Sequence, residues 1–375
     1  MLIKNGTVLR GDFTLAREDV YIEGESISAE AMPCVESFDA SGLFVLPGLV
    51  DIHTHGFGER ECFDGGGATT DVARSLAAGG TTAFLPTCRA MEFERLISVA
   101  GEISALIAAG VPDDCAAPEG INLEGPFLSE TKRGAHPAEL LSKPDTALFA
   151  RLREAAKGYV KLVTVAPEQD GADELIDEIK KTAAVSLGHS AADYETAKRA
   201  FARGASHVTH LFNAMLPMGH REPGLAGAAL DSANVTCELI CDGEHVHPAA
   251  VRLAFKALGA ERVALVSDSV AGAGLPEGEY VFRGARHRRD GGKAVRLADG
   301  SLAGGGGFLL DNVRSAVDFG VPLADAVRAA SLTPARVIGA DSRIGSIAAG
   351  KRADLILVDG GLRLKAVVLR GRFLS

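Results

Sequence analysis

Positive charge is what this 375-residue chain lacks most: its formal net charge is -10 and its pI is near 5.5. A basic footprint for nucleic acid over the whole protein is therefore absent, while a local basic site for an anionic substrate stays compatible with the balance. No apolar run reaches the roughly 18 residues that a membrane helix needs. The opening MLIKNGTVLRGD lacks the apolar core of a signal peptide, so no membrane partner is expected and the expected compartment is the cytoplasm. Six cysteines with no CxxC do not make a disulfide framework. Cys34, Cys62, Cys88, Cys115, Cys237 and Cys241 read as reduced thiols, with Cys237 and Cys241 as strand-core and loop positions rather than a metal pair. Short repeats and low-complexity linkers are missing too.

What the chain does have is regular alternation. It is 47% hydrophobic, and short apolar runs recur at 49–55, 82–87, 121–127, 160–168, 183–190, 206–214, 235–245 and 262–269. Between them lie segments such as FERLISVAGEISALIAAG and DYETAKRAFARG, whose apolar residues fall at helical spacing. Parallel strands need crossover helices, so eight strand–helix units in series predict a (β/α)8 TIM-type barrel over 49–343. Residues 1–48 and 344–375 instead alternate around glycine turns (LIKNGTVLRGD, LKAVVLRGRFL). Neither end alone has the strands to bury a sheet face, which predicts one small β-sandwich domain built from both termini.

Active sites of such barrels lie at the C-terminal ends of the strands. The apolar runs of this chain stop at ligand-type residues: His53 and His55, Glu124, His189, His210, Asp242 and His245, and Asp268. In the stretch LPGLVDIHTHGFGE, the period of two along a strand turns His53 and His55 to the same face. Any one of these groups is more simply a capping or salt-bridged residue. Gathered at one end of one barrel, the set predicts a divalent metal site.

HTHG, LEGPF followed by KRGAH, GHS, THLFNAM followed by REPG, DGEH, and the tail IGSIAAGKRADLILVD resemble the amidohydrolase superfamily, and within it the N-acetylglucosamine-6-phosphate deacetylase family. The resemblance runs over nearly the whole chain and implies a cytoplasmic, homodimeric hydrolase acting on a small amino sugar phosphate. It implies that Glu124, His189 and His210 hold the principal metal, zinc first and iron or another divalent ion as alternatives, while His53 and His55 supply a second position. Asp268 is then the proton shuttle. Asn213, the backbone at Ala214, Arg221 and His245 match the residues that bind the sugar phosphate, with Arg221 acting across a dimer interface, and His136 matches a residue near the sugar and its acetyl group. The strand-four run ends VTVAPE with no lysine, unlike the amidohydrolases that bridge two metals through a carboxylated lysine. One departure falls near the sugar: SLAGGGGFLLDNVR stands where the family has a serine-containing segment. Four glycines in a loop expected to face the substrate leave the galactosamine epimer, or another amide, as alternative substrates. A non-catalytic scaffold is disfavoured because every ligand is retained.

Overall fold

A computed structural model describes every residue except Met32, Cys34, Val35 and Ser375; the thiol expected at Cys34 lies outside the described residues. The other five cysteines are free and buried. No helix among the described residues is long and apolar enough to cross a membrane.

Eight strands form where the apolar runs were identified: β1 (Leu49–Thr54), β2 (Thr81–Arg89), β3 (Ile121–Glu124), β4 (Val160–Val165), β5 (Ala184–Leu187), β6 (His207–Val208), β7 (Thr236–Leu239) and β8 (Val263–Leu265). Each pairs in parallel with the next from β1 to β8. The ring closes through the segment after β8, where Asp268 donates its N–H to the His53 carbonyl at 2.9 Å and Ser269 accepts from His55 at 2.8 Å. This is the expected (β/α)8 barrel. Its helices bury one stripe each. Over Phe93–Ala109 the residues Leu96, Val99, Ala100 and Ile103 are buried, an i, i+3, i+4, i+7 pattern that faces the strands. The helix Tyr194–Arg203 starts where the Asp193 carboxylate accepts the Thr196 N–H at 2.8 Å, which satisfies a first-turn donor.

Val50, Ile52, Ala83, Leu85, Leu162, Ile240, Ala264 and Val266 form one buried cluster with Ala335, Ile338 and Ile344. Strands β1 and β4 and the residue that follows β7 share it across the lumen, so the barrel interior is a packed plug. A polar layer links β4, β5 and the end of β6, with Thr209 Oγ1 2.9 Å from Thr164 and 2.6 Å from Ser186.

The terminal strands form one eight-stranded sheet drawn from both ends of the chain: residues 2–47 supply five strands and residues 355–373 three. The sheet curls back on itself, since Ser26 bridges Arg352, and its two halves enclose Ile3, Val8, Val20, Val45, Leu355, Leu357 and Val368. Gly48 alone separates the last N-terminal strand, Phe44–Pro47, from β1.

One element departs from the sequence reading. Between β8 and the helix Leu309–Asp318 the chain makes a four-stranded antiparallel sheet, Gly278–Phe282, Ala285–Arg289, Ala294–Leu297 and Leu302–Gly305. His287 lies in its second strand. The strand ARHRR carries no apolar run because most of it faces solvent, and apolar periodicity cannot register such a strand.

Candidate active site and metal centre

The strand ends place the predicted ligands together. His53 and His55 leave β1 on one face, their Nε2 atoms 3.2 Å apart. Glu124 ends β3 and lies between the two histidine pairs. Its Oε1 is 3.0 Å from Nε2 of both His189 and His210, and its Oε2 is 3.1 Å from His55 Nε2. His189 and His210 hold their Nε2 atoms 3.0 Å apart. Asp268 Oδ1 lies 3.5 Å from His53 Nε2 and 3.4 Å from His55 Nε2. His189, His210 and Asp268 all adopt positive φ, at 47°, 27° and 47°. Side chains avoid that region at a cost of about 1–3 kcal/mol each, and such residues cluster at functional sites.

The hydrogen-bond partners fix the tautomers. Nδ1 of His189 faces the Lys132 carbonyl at 2.8 Å, Nδ1 of His55 faces the Thr87 carbonyl at 3.2 Å, and Nδ1 of His53 faces Glu238 at 2.8 Å. These oxygens only accept, so in the neutral rings each Nδ1 bears the proton and each Nε2 keeps its lone pair. Lone pairs 3.0–3.2 Å apart repel one another unless a cation stands among them. The charges agree. Burial favours neutral His55, yet Asp268 and Glu124 hold its pKa up at about 9, so the buried carboxylates require positive charge from protons or from a metal. Both tests fit a divalent metal site.

His136 is equally close, with Nε2 3.0 Å from Glu124 Oε2, but it has the opposite tautomer. Its Nδ1 accepts the Ala90 N–H at 3.2 Å, so Nε2 donates to Glu124 rather than offering a lone pair. Burial pushes its pKa down to about 4, which keeps the ring neutral.

The residues expected to hold the sugar phosphate divide. Asn213, Ala214 and His245 line the cavity above the cluster, with His136, Asp268 and Gly304. Arg221 is exposed and lines no part of that cavity. Of the four consecutive glycines, only Gly304 faces the cavity; the expectation that the whole run would face substrate is corrected, because Gly305 turns against the segment after β8 and donates its N–H to the Asp268 carbonyl at 2.8 Å.

Sequence reasoning missed Glu238 on β7. Fully buried, it accepts from His53 Nδ1 at 2.8 Å, from the His210 N–H at 3.0 Å and from His207 Nε2 at 3.3 Å. Burial opposes its ionisation, but His53 and His207 outweigh that and hold its carboxyl well below the ordinary range. The signal was one carboxylate inside the apolar run VTCELIC, since a fully buried Glu almost always has a partner. Arg89 and Glu61, which also line the cavity, were not singled out either. Asp51, which precedes the pair, is fully buried and takes N–H groups from His53 and Ser267, each at 3.3 Å. Burial pushes its carboxyl up to about 7. It ties β1 to the end of β8.

A parallel barrel carrying this donor set at its strand ends is the architecture of a metal-dependent hydrolase, and the chain belongs to the amidohydrolase family, whose model matches residues 44–373. Within that family it is 36% identical to N-acetylglucosamine-6-phosphate deacetylase of Bacillus subtilis, over 99% of this chain and 93% of that protein. It is 34% identical to N-acetylgalactosamine-6-phosphate deacetylase of Escherichia coli O157:H7, over 94% and 93%. The fold superposes with a TM-score of 0.92, at 32% identity and over 100% and 99% of the two chains, on a variant of the Mycobacterium smegmatis N-acetyl-D-glucosamine-6-phosphate deacetylase in complex with N-acetyl-D-glucosamine-6-phosphate.

Proposed function

We propose that the protein hydrolyses the acetamide of N-acetylglucosamine-6-phosphate to glucosamine-6-phosphate and acetate. The observation that carries the proposal is the convergence of Glu124, His189 and His210 within 3.0 Å of one another, beside Asp268, in a chain alike over its whole length to deacetylases of this substrate. Glu124, His189 and His210 would hold a divalent ion, zinc first, and His53 and His55 would complete a second position that shares Glu124. When bound, such an ion lowers the pKa of water towards 7 and polarises a carbonyl oxygen.

Asp268 moves the proton. Its backbone is pinned on both sides, by N–H donation to His53 and by acceptance from Gly305, which fixes Oδ1 over the histidine pair. Burial would raise its pKa, but His53 and His55 keep the carboxyl below the ordinary range, so it is ready to accept. Oδ1 takes the proton of the attacking water and returns it to the departing amine, which leaves poorly unless protonated. His136 closes the acetyl side of the cavity. Nδ1–H of His245 donates to Asp242 at 2.6 Å; burial opposes charge on the ring but Asp242 raises its pKa, so the protonated Nε2 donates to the sugar phosphate, with Asn213 and the Ala214 backbone. Arg221, exposed on its own subunit, reaches the phosphate of a neighbour in a homodimer.

The test is turnover of N-acetylated hexosamines, gluco and galacto, with and without 6-phosphate, by metal-reconstituted protein. N-acetylglucosamine-6-phosphate is expected to be the best substrate. A charge-assisted bond to the phosphate is worth about 1.5–3 kcal/mol, so Arg221→Ala lowers kcat/KM for it roughly ten- to a hundredfold and leaves the unphosphorylated sugar nearly unchanged. Equal use of both sugars by the wild type replaces this reading with a broader amidohydrolase one, and preference for the galactosamine phosphate moves it to the epimer.

A further inference from the structure

The glycine run separates two cavities. On one side Gly304 lines the catalytic cavity. On the other, Gly305, Gly306 and Gly307 line a second cavity of about 200 Å³, enclosed between the inserted sheet and the helix Leu309–Asp318. The two cavities have no lining residue in common.

The second cavity carries two cations without a matching carboxylate. Arg289 and Lys293 line it, and among the described residues neither has a carboxylate within ion-pair distance. Arg289 donates through Nη1 to the Gly306 carbonyl, while its buried Nε has no partner. Lys293 Nζ donates to a neutral hydroxyl, Ser315 Oγ, at 2.7 Å. Asn312, 5% exposed, lines the same cavity with its side-chain oxygen unpartnered; turning that amide over presents its NH2 instead. The two carboxylates in the lining are already engaged. Asp242 is held by His245 and two backbone N–H groups, and Asp311 by the Phe308 N–H and Arg314. A half-buried guanidinium without counter-charge, with the exposed Lys293 ammonium beside it and next to the first turn of a ten-residue helix, calls for an anion.

The glycines are what let the loop pack this closely against its neighbours. A Cβ at Gly306 would lie 1.9 Å from the Arg289 guanidinium, and one at Gly307 would lie 2.7 Å from the Asp311 carboxylate. At Gly305 it would meet the Ser267 carbonyl at 2.0 Å. Three of the four glycines therefore line the far side of the loop from the catalytic cavity.

We infer that this cavity is a second anion site, which binds a phosphate-class oxyanion through Arg289, Lys293 and Asn312, apart from the catalytic cavity. Planar guanidinium and ammonium donors suit phosphate oxygens. Two contacts connect the site to the chemistry: Gly305 to the Asp268 carbonyl, and Asp242 to His245.

The test is equilibrium dialysis of radiolabelled inorganic phosphate against metal-loaded protein, using wild type, His245→Gln, Arg289→Gln and Lys293→Gln. A saturable phosphate site is expected in the wild type and in His245→Gln. Its affinity falls roughly tenfold or more in each of the other two. Lys293 is exposed, so its variant keeps the fold, which retained deacetylation verifies. Competition by unlabelled glycerol phosphate separates the sources: displacement identifies a phosphomonoester site, and no displacement a site for free phosphate. Phosphate binding that is unchanged in both Arg289→Gln and Lys293→Gln, or is abolished in His245→Gln, overturns the assignment, and neither outcome bears on the deacetylase reading.

Discussion

Replacing Glu238 tests whether the metal centre depends on a residue that never touches the metal. The carboxylate accepts from His53 Nδ1, the His210 N–H and His207 Nε2, at 2.8, 3.0 and 3.3 Å, and it is fully buried. Glu238→Ala would strand those donors. Each buried donor left unpaired costs about 1–3 kcal/mol, so the three together cost about 3–9 kcal/mol. That approaches the whole stability of a domain, about 5–15 kcal/mol, and alanine would report folding rather than function. Glu238→Gln is the informative change. Its one remaining oxygen can serve His53 and His210. Its NH2 then faces His207, which can switch tautomer because its other nitrogen is 2.6 Å from a hydroxyl, Thr236 Oγ1, and a hydroxyl can donate as well as accept. The fold survives, and the loss is the negative charge behind His53. A carboxylate behind a metal-ligating imidazole is typically worth about 10–100-fold in metal affinity. Chelator-competition titration of the purified variant should therefore show that loss in the weaker of two metal sites, the one containing His53, with a near-normal melting temperature. Titration curves that superpose on the wild type refute the reasoning, and equal weakening of both sites would make Glu238 a general support instead.

Asp268→Asn keeps the shape and removes the proton acceptor; kcat should fall by at least about 10²–10⁴-fold while elemental analysis finds normal metal, and a variant with nearly full activity rules Asp268 out as the shuttle. His189→Ala should lose the principal ion, because His189 shares the 3.0 Å triangle with Glu124 and His210, whereas His53→Ala should lose only the second. The reverse pattern of metal contents would exchange the two assignments.

How much of this was legible in the sequence depended on whether a residue's role is local. His53 and His55 were readable because strand geometry turns residues two apart to one face, and their Nε2 atoms do meet. Glu124, His189, His210 and Asp268 were readable because barrel topology brings every strand end to one mouth. Glu238 sits on such a strand, two residues inside its apolar run, and nothing in its own neighbourhood says that its partners come from β1 and β6. The inserted sheet was missed for a related reason: its first two strands bury no residue and so show no apolar stripe. The glycine run shows the limit most clearly. Four residues without side chains carry no chemical signal of their own, so their place in a loop expected to face the substrate suggested an altered substrate pocket. The fold shows that three of them face away from it. Gly305 has to be small because the Ser267 carbonyl leaves no room for a Cβ, and Gly306 because the Arg289 guanidinium occupies that space. Arg289 lies in a strand that apolar periodicity could not find. The meaning of a glycine is set by what approaches it, so the loop becomes interpretable only once its distant neighbours are in place. If Arg289 is there to hold an anion, the loop that positions Asp268 is also the wall of a second binding site.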